Sequence, residues 1–380
     1  MTIRIARASA AGAAVVAGGA GASRARSRAH PVPRDRDRDR PAAPDGTSGL
    51  PDQLVDDLVD AGSREHYADA ALYDYEYRRR RADVTFYREL ARRRGADRIL
   101  ELGAGSGRVT VPLARDGRQV VALDQSAAML ARLRERIARL PRPVAGRITP
   151  VAGDLRTFSV GGRFPLAIAA FNVLEHLYTR GEITACLQRI AAHLAPGGAF
   201  AFDVQLPDLA WLIRDPGKRW AKTRFTDPTT GRAMYYSTNH DYDPVSQIAL
   251  IRLYYEPADD RPQPIERGEG APRLPGGRES RREDVPGPAR RRGPPARRAN
   301  SSQVTHATGA ASRASPTRVV KLSQRKFFPA ELEALVASAG FRVSERYGDF
   351  SFRPLDGTAE SQVLVCEPHP KRPRKRPASR

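Results

Sequence analysis

The stretch that decides the fold is Ile99-Leu100-Glu101-Leu102-Gly103-Ala104-Gly105-Ser106-Gly107, followed by the apolar run 119–123 and by Asp124. Long and branched apolar side chains at 99–102 predict a strand buried on both faces. Glycines at alternate positions predict a tight nest of main-chain N–H groups, because residues without a Cβ turn sharply and let a ligand approach the backbone. A helix start, a second strand and an acid at its tip complete the unit.

The pattern extends in both directions. From 51 to 94 apolar residues recur at helical spacing, at Leu54, Leu58, Tyr67, Ala71 and Tyr73 and again at Phe86 and Leu90. Tyr67, Tyr73, Tyr75 and Tyr77 make this leading segment unusually aromatic. Downstream, predicted strands at 98–102, 119–123, 148–152, 166–171 and 198–204 alternate with helices from about Arg108, over 126–139 and over 180–194. Apolar strands joined by helical crossovers predict a parallel sheet covered on both faces, and right-handed crossovers make it doubly wound. Ligands bind such sheets beyond the carboxyl ends of the strands. The Gly103 loop, Asp124, Gly153-Asp154, Phe171-Asn172 and Asp203 are all expected at those ends, converging on one crevice.

Residues 205–257 change character. Strand-like runs at 219–225, 232–242 and 247–256 are separated by Asp227-Pro228 with Gly231 and by Tyr242-Asp243-Pro244, both turn signals. Arg318 to Lys326 supplies a fourth strand beyond a Pro/Gly/Arg-rich segment. Pro329 to Ala339 reads as a helix opened by proline and closed by Gly340, and two last strands follow at 341–347 and 362–366.

The spacing in the glycine nest separates two families of nucleoside site. A dinucleotide fingerprint, G-x-G-x-x-G, needs a third glycine where this chain has Arg108. With Glu101 opening the loop and glycines running G-x-G-x-G, the stretch resembles motif I of the class I S-adenosylmethionine-dependent methyltransferases. The turn Pro196-Gly197-Gly198 and the run Phe171-Asn172-Val173-Leu174-Glu175-His176 are similar to segments of the same family. The resemblance covers roughly 65–257 and 318–367. It implies a Rossmann-like, doubly wound, seven-stranded mostly parallel sheet, ending in an antiparallel pair and carrying an inserted antiparallel β cap.

The resemblance also implies a set of cofactor-binding residues for S-adenosyl-L-methionine. Glu101, Gly103, Ala104, Gly105 and Gly107 match the methionine-binding loop, and Asp124, with Gln125 and Met129 behind it, matches the ribose-binding acid. Asp154 and Leu155 match the adenine-binding motif, while Phe171 and Asn172 border the methionine moiety. Structural alternatives stand beside these roles: the nest as a plain strand-to-helix turn, Asp124 as a helix N-cap and Asp154 as a turn cap. His176 is the candidate general base, since imidazole titrates near neutrality; a structural histidine is the alternative. Tyr73, Tyr235, Tyr236, His240, Tyr254 and Arg325 are candidates for the acceptor pocket, the strand aromatics having cap packing as their alternative. Asp349 is a further candidate. No metal is expected.

Composition bounds the rest. The chain has 380 residues, a net charge of +21 and two cysteines. Residues 1–50, 258–316 and 369–380 account for sixteen of those charges, and their composition cannot bury enough apolar surface to offset ordering entropy. They are expected to be disordered, as an N-terminal extension, an insertion and a basic tail. The folded part is then an α/β core over 51–204, a cap over 205–257 with its last strand in 317–328, and the end of the core over 329–368. Because the charge sits in those arms, and Arg exceeds Lys as G/C-rich codons favour, no specific nucleic acid is expected. Cys186 and Cys366 form no disulfide framework, so a reducing cytoplasm is expected. No apolar run is long enough to span a membrane.

The reading is a small-molecule methyltransferase, with the acceptor and the oligomeric state open. Its alternatives are an NAD-dependent oxidoreductase and a non-catalytic nucleoside-binding or scaffold protein with disordered arms.

Overall fold

The computed structural model describes residues 52–258 and 317–369. The expected N-terminal extension, nearly all of the 258–316 insertion and the basic tail lie outside the described residues.

Three helices lead: α1 (Asp52–Ala68), α2 (Ala70–Glu76) and α3 (Ala82–Arg93). The α/β core follows as β1 (Arg98–Leu102), α4 (Thr110–Arg115), β2 (Gln119–Asp124), α5 (Ala127–Ala138), α6 (Arg142–Ala145), β3 (Ile148–Ala152) and β4 (Phe164–Ala169). It continues through a 3-10 turn (Val173–His176), α7 (Arg180–His193) and β5 (Leu194–Gln205). Next come α8 (Leu209–Leu212), β6 (Trp220–Thr226), β7 (Ala233–Asp243), β8 (Ile248–Pro257) and β9 (Arg318–Arg325). The chain closes with α9 (Pro329–Ser338), β10 (Phe341–Tyr347) and β11 (Ser361–Pro368).

Seven strands form one sheet in the order β10-β11-β5-β4-β1-β2-β3. The first five run parallel, and β11 lies antiparallel between β5 and β10. This is the expected sheet. Alternation along the strands divides its core into two layers. Leu100, Leu102, Phe200, Phe202 and Leu364 pack on one face with Ile183, Leu187 and Ile190 of α7 and Leu332, Leu335 and Val336 of α9. Ile99, Val120, Ile168, Ala201 and Val365 pack on the other with Phe86, Tyr87 and Leu90 of α3. Phe86 is fully buried there, which contributes about 1.5–3 kcal/mol. Strand order reverses between β1 and β4, which opens the crevice at their carboxyl ends.

Three expected boundaries move. The helix after the glycine nest starts at Thr110 rather than Arg108, because Gly107 to Val109 still belong to the turn. β4 stops at Ala169, two residues early, since Phe171 and Asn172 both take left-handed conformations with φ of 71° and 61°. β5 begins at Leu194 and carries Pro196-Gly197-Gly198 inside it, with a register shift against β4.

The cap is a separate four-stranded antiparallel sheet, β6-β7-β8-β9. One face, with Ala249, Ile251, Leu253, Tyr255, Val320 and Leu322, packs on Leu72 of α2. The outer edge of β9 would be an open template for strand addition, and α1 covers it. Glu65 accepts the Lys321 main-chain N–H at 2.9 Å, and Ser323 Oγ donates to the Val59 carbonyl at 2.7 Å. The approach is so close that a Cβ on Gly62 would lie 2.5 Å from the Ser323 nitrogen.

Candidate active site

The crevice is built on the glycine nest. Gly103, Gly105 and Gly107 all have positive φ, at 65°, 57° and 86°. A side chain at 103 would strike Val173 at 2.5 Å and one at 107 would strike Leu133 at 2.4 Å, whereas a Cβ on Gly105 would meet nothing within 4 Å. Two glycines thus serve packing, and the third leaves bare main chain facing open space. Ala104 is buried beneath and its N–H donates to the Leu123 carbonyl at 3.0 Å. Tyr73, Glu101, Gly103, Gly105 and Phe171 line one small cavity above the nest.

Two carboxylates flank the nest. Glu101 is 2% exposed and accepts from Thr110 Oγ1 at 2.6 Å. Burial raises its pKa to about 7 against the opposing Thr110 hydrogen bond. Asp124 accepts from the Gly105 N–H at 2.7 Å and the Ser126 N–H at 2.8 Å, and burial raises its pKa as well. The Gln125 N–H is a third main-chain donor to it, so about one of the four acceptor sites of the carboxylate is left over. The N-cap of α5 is Ser126, whose Oγ accepts from the Met129 N–H at 3.3 Å; the alternative of Asp124 as that cap is corrected. Gln125 is exposed, and Met129 is buried in the first turn of α5.

On the β4 side, Asp203 does not face the crevice as expected. It is 1% exposed, two residues inside the end of β5, and accepts from the N–H groups of Phe171 at 2.8 Å and Asn172 at 3.3 Å and from the Tyr87 hydroxyl at 2.6 Å. A left-handed Phe is costly, and this buried carboxylate holds the turn. The Phe171 ring stacks edge-on with Tyr77 at 4.7 Å, with the Arg80 guanidinium 4.3 Å over its face.

His176 sits in the 3-10 turn, its Nε2 2.6 Å from the Tyr67 hydroxyl. Burial, with the Lys326 charge adding to it, lowers its pKa to about 4, so the ring is neutral at pH 7. A neutral ring with Nε2 engaged by Tyr67 matches the structural alternative given for His176. Lys326 is 1% exposed and bonded through Nζ to Glu175 at 2.8 Å, Gln205 at 3.0 Å and Gln324 at 2.9 Å. It pins this turn to β5 and the returning cap strand.

Other expected site residues are engaged elsewhere. Asp154 accepts from the Arg156 side chain at 2.5 Å and from its N–H at 2.7 Å, as a turn cap does, and Arg156 also pairs with Glu182; Leu155 packs against the core. His240 stacks on Trp211 at 3.7 Å with Nε2 2.8 Å from the Trp211 carbonyl. Arg325 pairs with Glu331 at 2.5 Å and donates to the Tyr178 carbonyl. Tyr235 and Tyr254 lie on the cap face opposite the one packed on α2, where Lys222 and Arg219 sit over their rings. Tyr236 joins the cap core, and Asp349 closes its own turn on Ser351 and Arg353. Of the acceptor-pocket candidates only Tyr73 lines the cavity.

Two residues escaped the sequence reading. Tyr67 was visible only as one of an aromatic cluster; its partnership with His176, 109 positions away, needs the fold. Asp74 of α2 accepts from Ser106 Oγ at 2.6 Å and clamps the leading helices onto the nest. Arg108 makes a two-pronged pair with Asp83 at 2.6 and 2.8 Å. Its side chain occupies the place where a dinucleotide site needs a glycine, so the oxidoreductase alternative has no support. Among the described residues there is no metal-ligating cluster, and no helix is long and apolar enough to cross a membrane.

Comparison with known proteins agrees with this architecture. Residues 99–198 match the family described as methyltransferase domain. The chain is 35% identical over 149 residues to the dTDP-3-amino-3,6-dideoxy-alpha-D-glucopyranose N,N-dimethyltransferase of Streptomyces fradiae, covering 36% of this chain and 54% of that protein. It is 35% identical over 109 residues to the cypemycin N-terminal methyltransferase of a Streptomyces species, covering 29% and 42%. The chain thus spans about half the length of the curated relatives it matches. Among solved structures, the CcbJ methyltransferase of Streptomyces caelestis shares the fold, with a TM-score of 0.55 at 22% identity over 81% of this chain and 99% of that one. The seven-stranded sheet with its antiparallel pair is thus a fold shared with solved methyltransferase structures. Residues 99–198 are similar to the methyltransferase-domain family.

Proposed function

We propose that the protein binds S-adenosylmethionine in the crevice between β1 and β4 and transfers its methyl group to an amine of a small molecule. The observation that carries the donor assignment is the bare main chain at Gly105 between two buried carboxylates. Glu101 would accept from the amino group of the methionine part, and Asp124 would offer its remaining acceptor site to a ribose hydroxyl. The bound sulfonium supplies an activated methyl group and leaves as a neutral thioether.

The chain's own work is then positioning and water exclusion. Tyr73 and Phe171 wall the crevice with aromatic surface, and Tyr77 packs against both rings from behind. An amine brings its own lone pair and needs no strong base, whereas a hydroxyl would need one that His176 does not provide. The names of the relatives, an amino-sugar N,N-dimethyltransferase and an N-terminal methyltransferase, support nitrogen as the atom methylated.

The test is incubation of the full chain with isotope-labelled methyl donor and cell extract, followed by mass spectrometry of small molecules. Label on nitrogen is expected; label on a hydroxyl oxygen would overturn the amine assignment. S-adenosylhomocysteine at a hundred times its Kd should stabilise the protein by about 2.7 kcal/mol, and NAD should not. An absent shift would remove the donor assignment itself.

A further inference from the structure

Outside the crevice, a second cleft of about 430 Å³ opens between the α2–α3 connection and the helices α4 and α5. It shares only Tyr73, Gly107 and Arg108 with the cavity above the nest or the loop that forms it. Its lining is dominated by arginine. The run Arg78 to Arg81 gives three guanidiniums from one side. The last turns of α4 and α5 bring Arg115, Arg136 and Arg139 to the other, because spacings of three residues put successive side chains on one helix face.

Most of this charge is uncompensated. Asp74 is the one acid lining the cleft, and it is committed to Arg132 at 2.9 Å, Arg136 at 2.6 Å and Ser106. Arg108 and Arg80 are both taken by Asp83, at 2.6 and 3.0 Å, which leaves Arg78, Arg81, Arg115 and Arg139 to carry the excess. Among the described residues, Arg81, Arg115 and Arg139 have no carboxylate partner. Arg78 meets only the Tyr75 carbonyl and ring. Gathering like charges around one concavity raises its potential and costs self-repulsion, which a bound anion relieves. The remaining walls, Tyr73, Tyr77, Val84, Val111 and Leu140, are aromatic or apolar. Guanidinium forks match phosphate oxygens two at a time, and tyrosine faces stack on a planar base.

We propose that this cleft is a binding site for a nucleoside diphosphate, with the diphosphate across the arginines of α4, α5 and the 78–81 run and the base against the tyrosine wall. The cleft volume lies within the range of small-molecule sites. The assignment is independent of the methyl-transfer reading.

The test is isothermal titration of the full chain with ADP and, separately, with inorganic pyrophosphate, at low and at moderate salt. The wild type should bind ADP saturably at one site, more tightly than pyrophosphate. The triple variant Arg81→Glu, Arg115→Glu, Arg139→Glu should bind ADP at least tenfold more weakly and still bind S-adenosylhomocysteine as the wild type does, which shows that it folds. Undiminished ADP binding by that variant would assign the binding to the arginine-rich segments elsewhere in the chain and overturn the proposal. So would failure of the wild type to bind, or binding of an RNA oligomer but not of ADP. If the triple variant fails to bind S-adenosylhomocysteine, the single variant Arg139→Glu serves, with a severalfold loss expected and an unchanged Kd counting against the site.

Discussion

Asp124 and Glu101 show how one residue type serves differently on two sides of a turn. Asp124 ties the nest together through the N–H groups of Gly105, Ser126 and Gln125. A charged hydrogen bond is worth about 1.5–3 kcal/mol, so Asp124→Ala should weaken S-adenosylhomocysteine binding roughly tenfold to a hundredfold by calorimetry. Glu101 carries a pKa raised to about 7 by burial. The folded state therefore keeps a proton that the unfolded chain releases near pH 4.5, and the contribution to stability falls as pH rises from 4.5 through 7. Glu101→Gln removes that dependence and keeps an acceptor for Thr110. Its stability relative to wild type should improve between pH 5 and pH 8, on the order of 2 kcal/mol, as denaturant titration at the two pH values will measure. His176 has the opposite sign: its pKa is lowered to about 4, so its contribution is lost as pH falls from 6.5 towards 4.

At the scale of elements, the turns after the strands are held by supports that lie at a distance. The left-handed pair Phe171 and Asn172 is held by Asp203, itself held by Tyr87 of α3. Asp203→Ala would leave two amides and a hydroxyl unsatisfied in a buried place, at a cost of about 2–5 kcal/mol, and should weaken donor binding as well. Tyr87→Phe removes one hydrogen bond and should cost about 0.5–1.5 kcal/mol. Thermal melts with and without S-adenosylhomocysteine separate the two effects. Helix α7, which backs the site, has a complete capping box: Thr179 Oγ1 accepts from the Glu182 N–H at 3.1 Å and Glu182 accepts from the Thr179 N–H at 2.9 Å. Thr179→Ala should lower stability by about 0.5–2 kcal/mol and leave donor affinity unchanged.

Across the whole molecule, the cap is attached to the core at its leading edge by α1 and α2 and at its return by Lys326. Tyr255 of β8 lies opposite Arg318 of β9 in register, so the two ends of the intervening segment are already neighbours. Replacing 259–316 by a short turn should preserve both folding and S-adenosylhomocysteine binding, read by melting temperature and calorimetry. A lost cap, seen as a fall in melting temperature of more than a few degrees, would show that the segment contributes to the fold. Lys326 is charged and buried with all three donors satisfied; Lys326→Met would strand Glu175 and should cost about 3–5 kcal/mol.

The sheet, its parallel order, the glycine nest and the antiparallel cap were legible in the chain itself, because burial on both faces, alternation and turn residues are local signals with fixed periods. That Glu101, Gly105 and Asp124 meet was legible too, since they lie within 24 residues of one another around a single turn; their roles toward a cofactor rest on the family resemblance and belong to the proposal. The use of Asp203 as a brace, the withdrawal of His240 and Arg325 into packing, and the pairing of Tyr67 with His176 were not. Those outcomes depend on which side chains meet across elements far apart in sequence, and on how deeply burial shifts their protonation. Only the assembled tertiary structure sets both.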